Sequence, residues 1–384
     1  MRAAAAVLVL LLLTAGCGST LERRVVDGVT DGATSAPFYR VPDPLPEAAP
    51  GTLIRSERLL GAPDGAAAWR VLYHSRDDRG ADIAVSGVVV APTAAPPPGG
   101  RTVVSWAHPT TGTAPRCAPS AGDAPFSLIE GLQELLAAGY VVAATDYPTA
   151  PTYLIGTTSS QAVLDAARAA RALPEAGAGD GLVLWGHSQG GHAVLFAAER
   201  AATYAPELRL RGVAAAAPAV ELAGLLDADI GDVSGVTIGA YAFAAYAANY
   251  GAPLDAILTP EAAAAIPQMA ALCLIGQNDR LHALAGPLVG HDLRADPATV
   301  EPWASLLREN TPGRDRIPVP VFVAQGGADT LVRPDTTARF VAAQCAAGAE
   351  VTSVVVPGAD HGFIALDVVP QLIRWLAAPG GSTC

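Results

Sequence analysis

The chain has 384 residues, of which 51% are hydrophobic and 16% are charged. This composition excludes a disordered chain or a coiled coil, because there is ample apolar surface to bury and too little charge to keep the chain solvated. All 24 basic residues are arginine, and 36 acidic residues bring the net charge to −12. A nucleic-acid partner is therefore disfavoured, since phosphate binding needs a basic surface.

The N-terminus has the pattern of an export signal. Arg2 precedes a short apolar run that ends in small residues before Cys17, and the run is too short to span a bilayer as a helix. The segment LTAGC, which ends at Cys17, resembles a bacterial lipobox, whose cysteine is lipidated and becomes the mature N-terminus. We therefore expect a signal peptide over residues 1–16 and a lipid-anchored tether over 17–50, which would hold the protein on the outer face of the bacterial membrane. An ordinary cleaved signal, which would leave the protein secreted, is the alternative.

Four cysteines remain once Cys17 is assigned to a lipid: Cys117, Cys273, Cys345 and Cys384. An even number in an exported chain predicts two disulfides, for which three pairings are possible. Free buried thiols are the alternative.

Over residues 51–384 short apolar runs alternate with helical patterns, which predicts a folded domain. The predicted strands are Leu53–Leu59, Trp69–Ser75, Ile83–Val90, Thr102–Trp106, Tyr140–Thr145, Leu182–Trp185, Val213–Ala217, Val319–Ala324 and Val351–Val356. The predicted helices are Leu128–Ala138, Gln161–Ala172, Gly190–Ala201, Thr336–Ala347 and Phe363–Leu376. The first three strands lack helices between them and predict an antiparallel meander. From Thr102 onward the alternation predicts a mostly parallel α/β sheet with helices on both faces.

The alternation is interrupted between Ala217 and Val319. This stretch is far longer than a crossover needs and contains apolar helical patterns. We expect an inserted helical cap over about residues 220–312. An extra helical layer with no role in access to the site is the alternative.

A nucleophile is predicted at Ser188, in the sequence Gly186-His-Ser-Gln-Gly190. This G-x-S-x-G pattern follows an apolar strand and opens a helix, which is the context of a nucleophile elbow. Small residues on either side let the strand and the helix approach each other. A phosphate-binding loop of the Walker type is disfavoured, because that loop needs a lysine.

The serine needs a base, and in this arrangement the acid and then the histidine follow the serine in the chain. His361 lies between the last predicted strand and the last helix, and Asp329 lies in a Gly-rich turn after the strand before it. We predict His361 as general base and Asp329 as the group that orients it. His282 and His291 lie in the insertion and are disfavoured.

Asp279 and Asp360 are the other carboxylates considered for the role of Asp329, and both are disfavoured. Asp279 also follows a strand-like run, but it lies in the insertion. Asp360 is predicted to cap the following helix rather than to act on its neighbour, His361.

An oxyanion hole needs two backbone N–H groups. The predicted donors are Gln189, directly after the nucleophile, and Thr110, in the loop after the strand that ends near Trp106. Pro109 has no N–H group, and Thr111 is the alternative donor. His108 is predicted to shape this loop.

Several motifs together resemble the α/β-hydrolase superfamily and, more narrowly, the secretory lipase family of bacteria and fungi. They are WAHPTTG, CAPS, GYVVAATDY, VLWGHSQGGHA, ALCLIG, AQGGADTLV and ADHG. The resemblance implies an α/β-hydrolase fold with a helical cap, and serine esterase or triacylglycerol lipase activity. It also implies disulfides that pair Cys117 with Cys273 and Cys345 with Cys384. Pro109 and the segment 148–151 depart from the pattern, since such relatives carry glycine at these places, and both segments border the predicted site.

The sequence therefore predicts an extracytoplasmic serine carboxylic-ester hydrolase that acts on an ester or lipid substrate through an acyl-enzyme. We expect no metal or cofactor, no nucleic-acid partner, a membrane contact through the lipid anchor, and a monomer. A serine peptidase of the same fold is the alternative within enzymes. A non-catalytic surface binding protein is the alternative from another class.

Overall fold

The computed structural model describes residues 37–148, 151–380 and 383–384. The predicted signal peptide, Cys17 and residues 17–36 of the predicted tether lie outside the described residues. Residues 37–50 do not hang free as a tether, because Phe38 packs against Leu72 and Ala84. The hydroxyl of Tyr39 also lies 2.9 Å from the hydroxyl of Ser120. The packed fold thus begins earlier than residue 51.

One mixed sheet of nine strands forms the centre of the described part of the chain. Its strands are β1 Leu53–Leu59, β2 Ala66–Arg76, β3 Asp82–Pro92, β4 Arg101–Ala107, β5 Val141–Pro148, β6 Ala178–His187, β7 Arg209–Ala216, β8 Val321–Gly326 and β9 Val351–Val356. Their order across the sheet is β1-β2-β3-β5-β4-β6-β7-β8-β9. The strands β1, β2 and β3 pair antiparallel, β3 pairs antiparallel with β5, and the remaining pairs are parallel.

The central strands are apolar on both faces because helices cover both. In β4, Val104 and Trp106 belong to the core on one face, while Val103 and Ala107 belong to the core on the other. All four are almost fully buried. A strand that is buried on both sides reads as a continuous apolar run, as this one does in the sequence.

Eleven α-helices are present in the described residues. They are α1 Leu132–Ala137, α2 Gly156–Arg171, α3 Gln189–Tyr204, α4 Leu222–Asp229, α5 Val233–Tyr250, α6 Pro260–Ala270, α7 Leu274–Ala285, α8 Trp303–Glu309, α9 Pro334–Ala346, α10 Ile364–Asp367 and α11 Val369–Ala377.

Helix ends differ from the predicted ones for local reasons. The helix predicted from Leu128 begins only at Leu132, since Gly131 adopts a left-handed φ of 81° and ends the preceding turns. The helix predicted over 363–376 is two helices, and Pro370, which has no N–H group, lies at the start of the second.

The interrupting segment between β7 and β8 is helical and contains α4 to α8. Its apolar side chains join the same core as the sheet face below: Phe243 lies edge-on to Trp303, and both are buried. The ring of Tyr246 stacks on Trp303 at 6.0 Å. In the described residues, no helix is both long enough and apolar enough to cross a membrane.

Two disulfides tie distant parts of the fold together. Cys117, in the segment after β4, is bonded to Cys273 at the start of α7. Cys345, in α9, is bonded to the C-terminal residue Cys384. The structure thus contains the pairing that the family resemblance implied.

Candidate active site

Ser188 occupies a tight turn between β6 and α3. Its φ of 57° is positive, a conformation that costs a non-glycine residue strain and is common at functional positions. The neighbouring glycines make this turn possible. A Cβ at Gly186 would lie 2.3 Å from the carbonyl oxygen of Gly190, and a Cβ at Gly190 would lie 1.8 Å from that of Ala107. Any side chain at either position would force strand and helix apart.

The structure brings Ser188, His361 and Asp329 into one chain of hydrogen bonds. The Nε2 atom of His361 lies 2.9 Å from the Oγ atom of Ser188. The Nδ1 atom of the same ring lies 2.8 Å from Oδ2 of Asp329. Since a carboxylate only accepts, Nδ1 carries the proton and Nε2 presents its lone pair to the serine hydroxyl. All three residues follow parallel strands, so they meet at the carboxyl edge of the sheet.

Asp329 is held in place by several donors. It is 4% exposed. Its Oδ1 atom accepts hydrogen bonds from the backbone N–H groups of Leu331 at 2.9 Å and Val332 at 2.8 Å. The side-chain amide of Gln325 donates to Oδ2 at 3.3 Å. These bonds leave one direction of the carboxylate for the imidazole of His361, and so fix the orientation of that ring.

The predicted oxyanion donors lie on two segments that touch. Gln189 is the first residue of α3, where a backbone N–H has no partner within the helix. The end of β4 and the loop after it contact the start of this helix at Gly190. The same loop contains Thr110, whose Oγ1 atom lies 2.9 Å from the hydroxyl of Tyr153. His108, in the same loop, is buried and its Nδ1 atom lies 2.6 Å from the carbonyl oxygen of Pro109. Burial lowers the pKa of His108.

An apolar cavity opens onto Ser188. Its walls come from the interrupting helices and from the loop after Asp329. Side chains that line it include Leu222, Leu225, Ile238, Phe243, Trp303 and Val332. A cavity with such apolar walls suits an aliphatic chain beside the serine.

Three features of the site have no clear signal in the sequence. Tyr153 contacts Thr110 from a segment 43 residues away. Asp229 is the one charged side chain among the described residues that line the apolar cavity. Behind His361, the ring of His187 lies between the backbone of His361 and the carboxylate of Glu130. Each contact depends on how separate elements pack, which no local pattern reveals.

The other candidate side chains are not part of the line of hydrogen bonds from Ser188 to Asp329. Asp279 and His282 are on α7, and the backbone carbonyl of His291 accepts a hydrogen bond from the hydroxyl of Thr259. Asp360 accepts a hydrogen bond from the backbone N–H of Phe363 at 3.2 Å, at the start of the helical turns that follow. No group of three or more histidine, cysteine, aspartate or glutamate side chains in the described residues could hold a metal ion.

A mostly parallel sheet, helices on both faces and a serine on a strand-to-helix turn together define an α/β-hydrolase fold. Solved structures with the same architecture agree. Candida antarctica lipase A in its closed state superposes with a TM-score of 0.73, at 21% identity, over 89% of this chain and 86% of that one. A rice cell wall degrading esterase, LipA from Xanthomonas oryzae, superposes with a TM-score of 0.69, at 21% identity, over 85% of this chain and 99% of that one. These similarities show the fold, and the predicted fold class is confirmed.

The chain belongs to the secretory lipase family, whose model matches residues 129–379. It is 30% identical to Lipase 6 of Candida albicans over 218 residues, which are 51% of this chain and 46% of that protein. It is 27% identical to Lipase A of Moesziomyces aphidis over 224 residues, 52% of this chain and 46% of that protein. These matches thus span about half of the length of the relatives. The family that the sequence motifs resembled is confirmed.

Proposed function

We propose that the chain is a serine carboxylic-ester hydrolase of the lipase and esterase type. The observation that carries the proposal is the continuous line of hydrogen bonds from Ser188 through His361 to Asp329, at the mouth of an apolar cavity. Membership of the secretory lipase family supports the same reaction.

The proposed reaction begins with attack of Ser188 Oγ on the ester carbonyl carbon, while its proton passes to Nε2 of His361. The carbonyl oxygen becomes an oxyanion, to which the backbone N–H groups of Gln189 and Thr110 donate. Asp329 stabilises the imidazolium without taking its proton. The C–O bond to the alcohol then breaks, and His361 protonates the departing alkoxide. This leaves the acyl group on Ser188.

The second half of the proposed reaction releases the acid. His361 removes a proton from a water molecule as that water attacks the acyl carbonyl carbon. The same N–H groups stabilise the second oxyanion. Its collapse breaks the bond to Ser188 Oγ, which recovers its proton from His361. No metal or cofactor takes part in this scheme.

The apolar cavity is proposed as the acyl site, with α4, α5 and α8 acting as the cap over it. Since Leu222 on α4, Phe243 on α5 and Trp303 on α8 all line the cavity, an acyl chain entering it would be removed from water. Burial of each additional methylene group contributes about 0.8 kcal/mol, so affinity for the acyl chain should rise with its length until the cavity is full.

Export and lipid anchoring at Cys17 are proposed from the N-terminal sequence. A Cys17→Ser variant expressed in a bacterial host would move the protein from the membrane fraction to the soluble exported fraction, and would lose incorporation of labelled palmitate. Persistence of the label in the variant would contradict an anchor at this residue. The monomeric state stays a prediction.

Hydrolysis of p-nitrophenyl butyrate by the purified protein tests the central proposal. We expect turnover and labelling by a fluorophosphonate, both lost in Ser188→Ala. Full activity in that variant would contradict the assignment of the nucleophile. Faster cleavage of aminoacyl nitroanilides than of esters would favour the serine peptidase. Absence of both labelling and turnover would favour the binding protein.

A further inference from the structure

The acyl cavity contains one carboxyl group that the proposed reaction does not use. Asp229 is the last residue of α4 and lines the same cavity as Ser188. Most residues of the wall are apolar, among them Leu225, Ile238 and Phe243, and the negative charge of Asp229 also acts on Tyr153. The side chain is half-buried, so a ligand that fills the cavity removes its carboxyl group further from water, which is costly unless the ligand supplies a partner.

The carboxyl group of Asp229 accepts no hydrogen bond from the described residues. The charged groups that act on it are Arg333, Asp232 and Asp329. Arg333 lies 3.8 Å from Asp335, and Asp232 accepts a bond from Ser234 at the start of α5. Polar groups that are removed from water nearly always have a hydrogen-bond partner, so we expect the molecule that fills the cavity and displaces water from Asp229 to supply one.

The protonation state of Asp229 indicates which chemical group of a ligand could be its hydrogen-bond partner. Burial raises the pKa of Asp229 to about 7, the positive charge of Arg333 lowers it, and the negative charges of Asp232 and Asp329 raise it. Both the acid and the carboxylate are therefore populated near neutral pH. A hydroxyl group can donate to the carboxylate and can accept from the acid, whereas an ammonium group can pair only with the carboxylate. A neutral hydroxyl also enters an apolar cavity at a lower desolvation cost than a cation.

We propose that Asp229 is a specificity-determining residue that binds a hydroxyl group on the acyl chain of the substrate. The preferred substrates are then esters of hydroxylated aliphatic acids. This inference rests on the proposed function, since it assigns the same cavity to the acyl group.

Matched methyl esters test the inference, with acid release followed by titration at constant pH. The set is hexanoate, 3-hydroxyhexanoate, 6-hydroxyhexanoate and 6-aminohexanoate. We expect kcat/KM of the natural protein to be about tenfold higher for at least one hydroxy ester than for hexanoate, as one hydrogen bond to a buried charged group can supply. The Asp229→Leu variant should lose this preference and hydrolyse hexanoate faster than the natural protein. Asp229→Asn, which keeps an amide oxygen and N–H groups, should retain part of the preference.

Asp227 provides a matched control, because it lies on the same helix but is exposed. The Asp227→Leu variant should keep the natural ratio of hydroxy ester to hexanoate. An unchanged ratio in Asp229→Leu, or a higher kcat/KM for the amino ester than for both hydroxy esters, would overturn the inference while leaving the esterase proposal intact. Hydrolysis that survives in Ser188→Ala would instead overturn the proposed function itself.

Discussion

The Nε2 atom of His187 lies 2.9 Å from the backbone carbonyl oxygen of His361, and the two rings are 5.1 Å apart. A carbonyl oxygen only accepts, so Nε2 of His187 carries the proton of this bond. The other ring nitrogen, Nδ1, lies 3.2 Å from Oε1 of Glu130. His187, which directly precedes the proposed nucleophile Ser188, therefore donates a hydrogen bond to the backbone of the proposed general base, His361.

Loss of this hydrogen bond should impair the position of the base more than the binding of substrate. We expect His187→Phe to lower kcat by about 10- to 100-fold with little change in KM, since small displacements of reacting groups cost about this much. His187→Gln, whose amide can donate to the same carbonyl oxygen, should recover part of the rate. Steady-state kinetics on p-nitrophenyl butyrate measures both parameters, and thermal melting checks that each variant folds.

Glu134→Gln is a control for the change in local polarity, because Glu134 is exposed and lies four residues after Glu130, on α1. This control should leave kcat unchanged. A normal kcat in His187→Phe would show that the bond to His361 does not position the base.

The proposed triad should behave as one unit under mutation. Ser188→Ala and His361→Ala should each lower kcat by about 10⁴- to 10⁶-fold, and the double variant should be no slower than the worse single variant, because the two side chains act in the same step. The same kinetics on all three variants tests this. Multiplicative losses in the double variant would show that the two residues act independently.

The disulfide Cys117–Cys273 should support both stability and activity, whereas Cys345–Cys384 should support stability alone. The segment after β4 is tied to α6 and α7 by the disulfide Cys117–Cys273 and by two hydrogen bonds. The backbone N–H of Leu274 donates to the carbonyl oxygen of Thr111 at 2.8 Å, and the hydroxyl of Thr113 donates to the carbonyl oxygen of Ala270 at 2.9 Å. Thr110, the proposed oxyanion donor, directly precedes Thr111, the first residue of these contacts. The Cys345–Cys384 bond holds only the C-terminus.

We expect the paired replacement of Cys117 and Cys273 by serine to lower both stability and kcat. Replacement of Cys345 and Cys384 should lower stability alone. The first bond closes a loop of 156 residues and the second one of 39, so chain entropy predicts a stability loss larger by about 1 kcal/mol for the first pair. Denaturant unfolding and kinetics on both double variants measure these effects. Equal losses of kcat in the two double variants would contradict a role of the Cys117–Cys273 bond in positioning the oxyanion donor.

The proposed nucleophile, base and acid could be chosen from the sequence because each is tied to a local pattern. Ser188 lies in a motif with a required strand before it and helix after it, and Asp329 and His361 follow the last two strands in chain order. Parallel strands deliver the residues after them to one edge, so adjacency in space followed from order along the chain. No sequence pattern indicates that Phe38 packs against the sheet. The prediction therefore assigns residues 37–50 to the tether.

The supporting residues depend on contacts between elements far apart in the chain. Glu130 and His187 are 57 residues apart, and their pairing depends on how the segment before α1 lies over the end of β6. Asp229 is one of several carboxylates near the end of α4. Only the packing of the helices between β7 and β8 shows that Asp229 lines the cavity while Asp227 is exposed. Amphipathic patterns predict that a helix packs but not which partner it meets.

Two carboxyl groups, Glu199 and Asp165, should contribute more to the stability of the fold in mild acid than at alkaline pH. Burial raises the pKa of Glu199 to about 7 and that of Asp165 to about 6. Between the unfolded pKa near 4 and these values the folded protein binds more protons than the unfolded chain, so the free energy of unfolding falls as pH rises through that window. Glu199→Gln removes one such ionisation but keeps an oxygen to accept the backbone N–H of Gly313. The variant should be more stable than the natural protein by about 1 kcal/mol at pH 8 and no more stable at pH 4, as measured by urea unfolding at both pH values. An identical pH dependence in the two proteins would show that Glu199 does not titrate in this way.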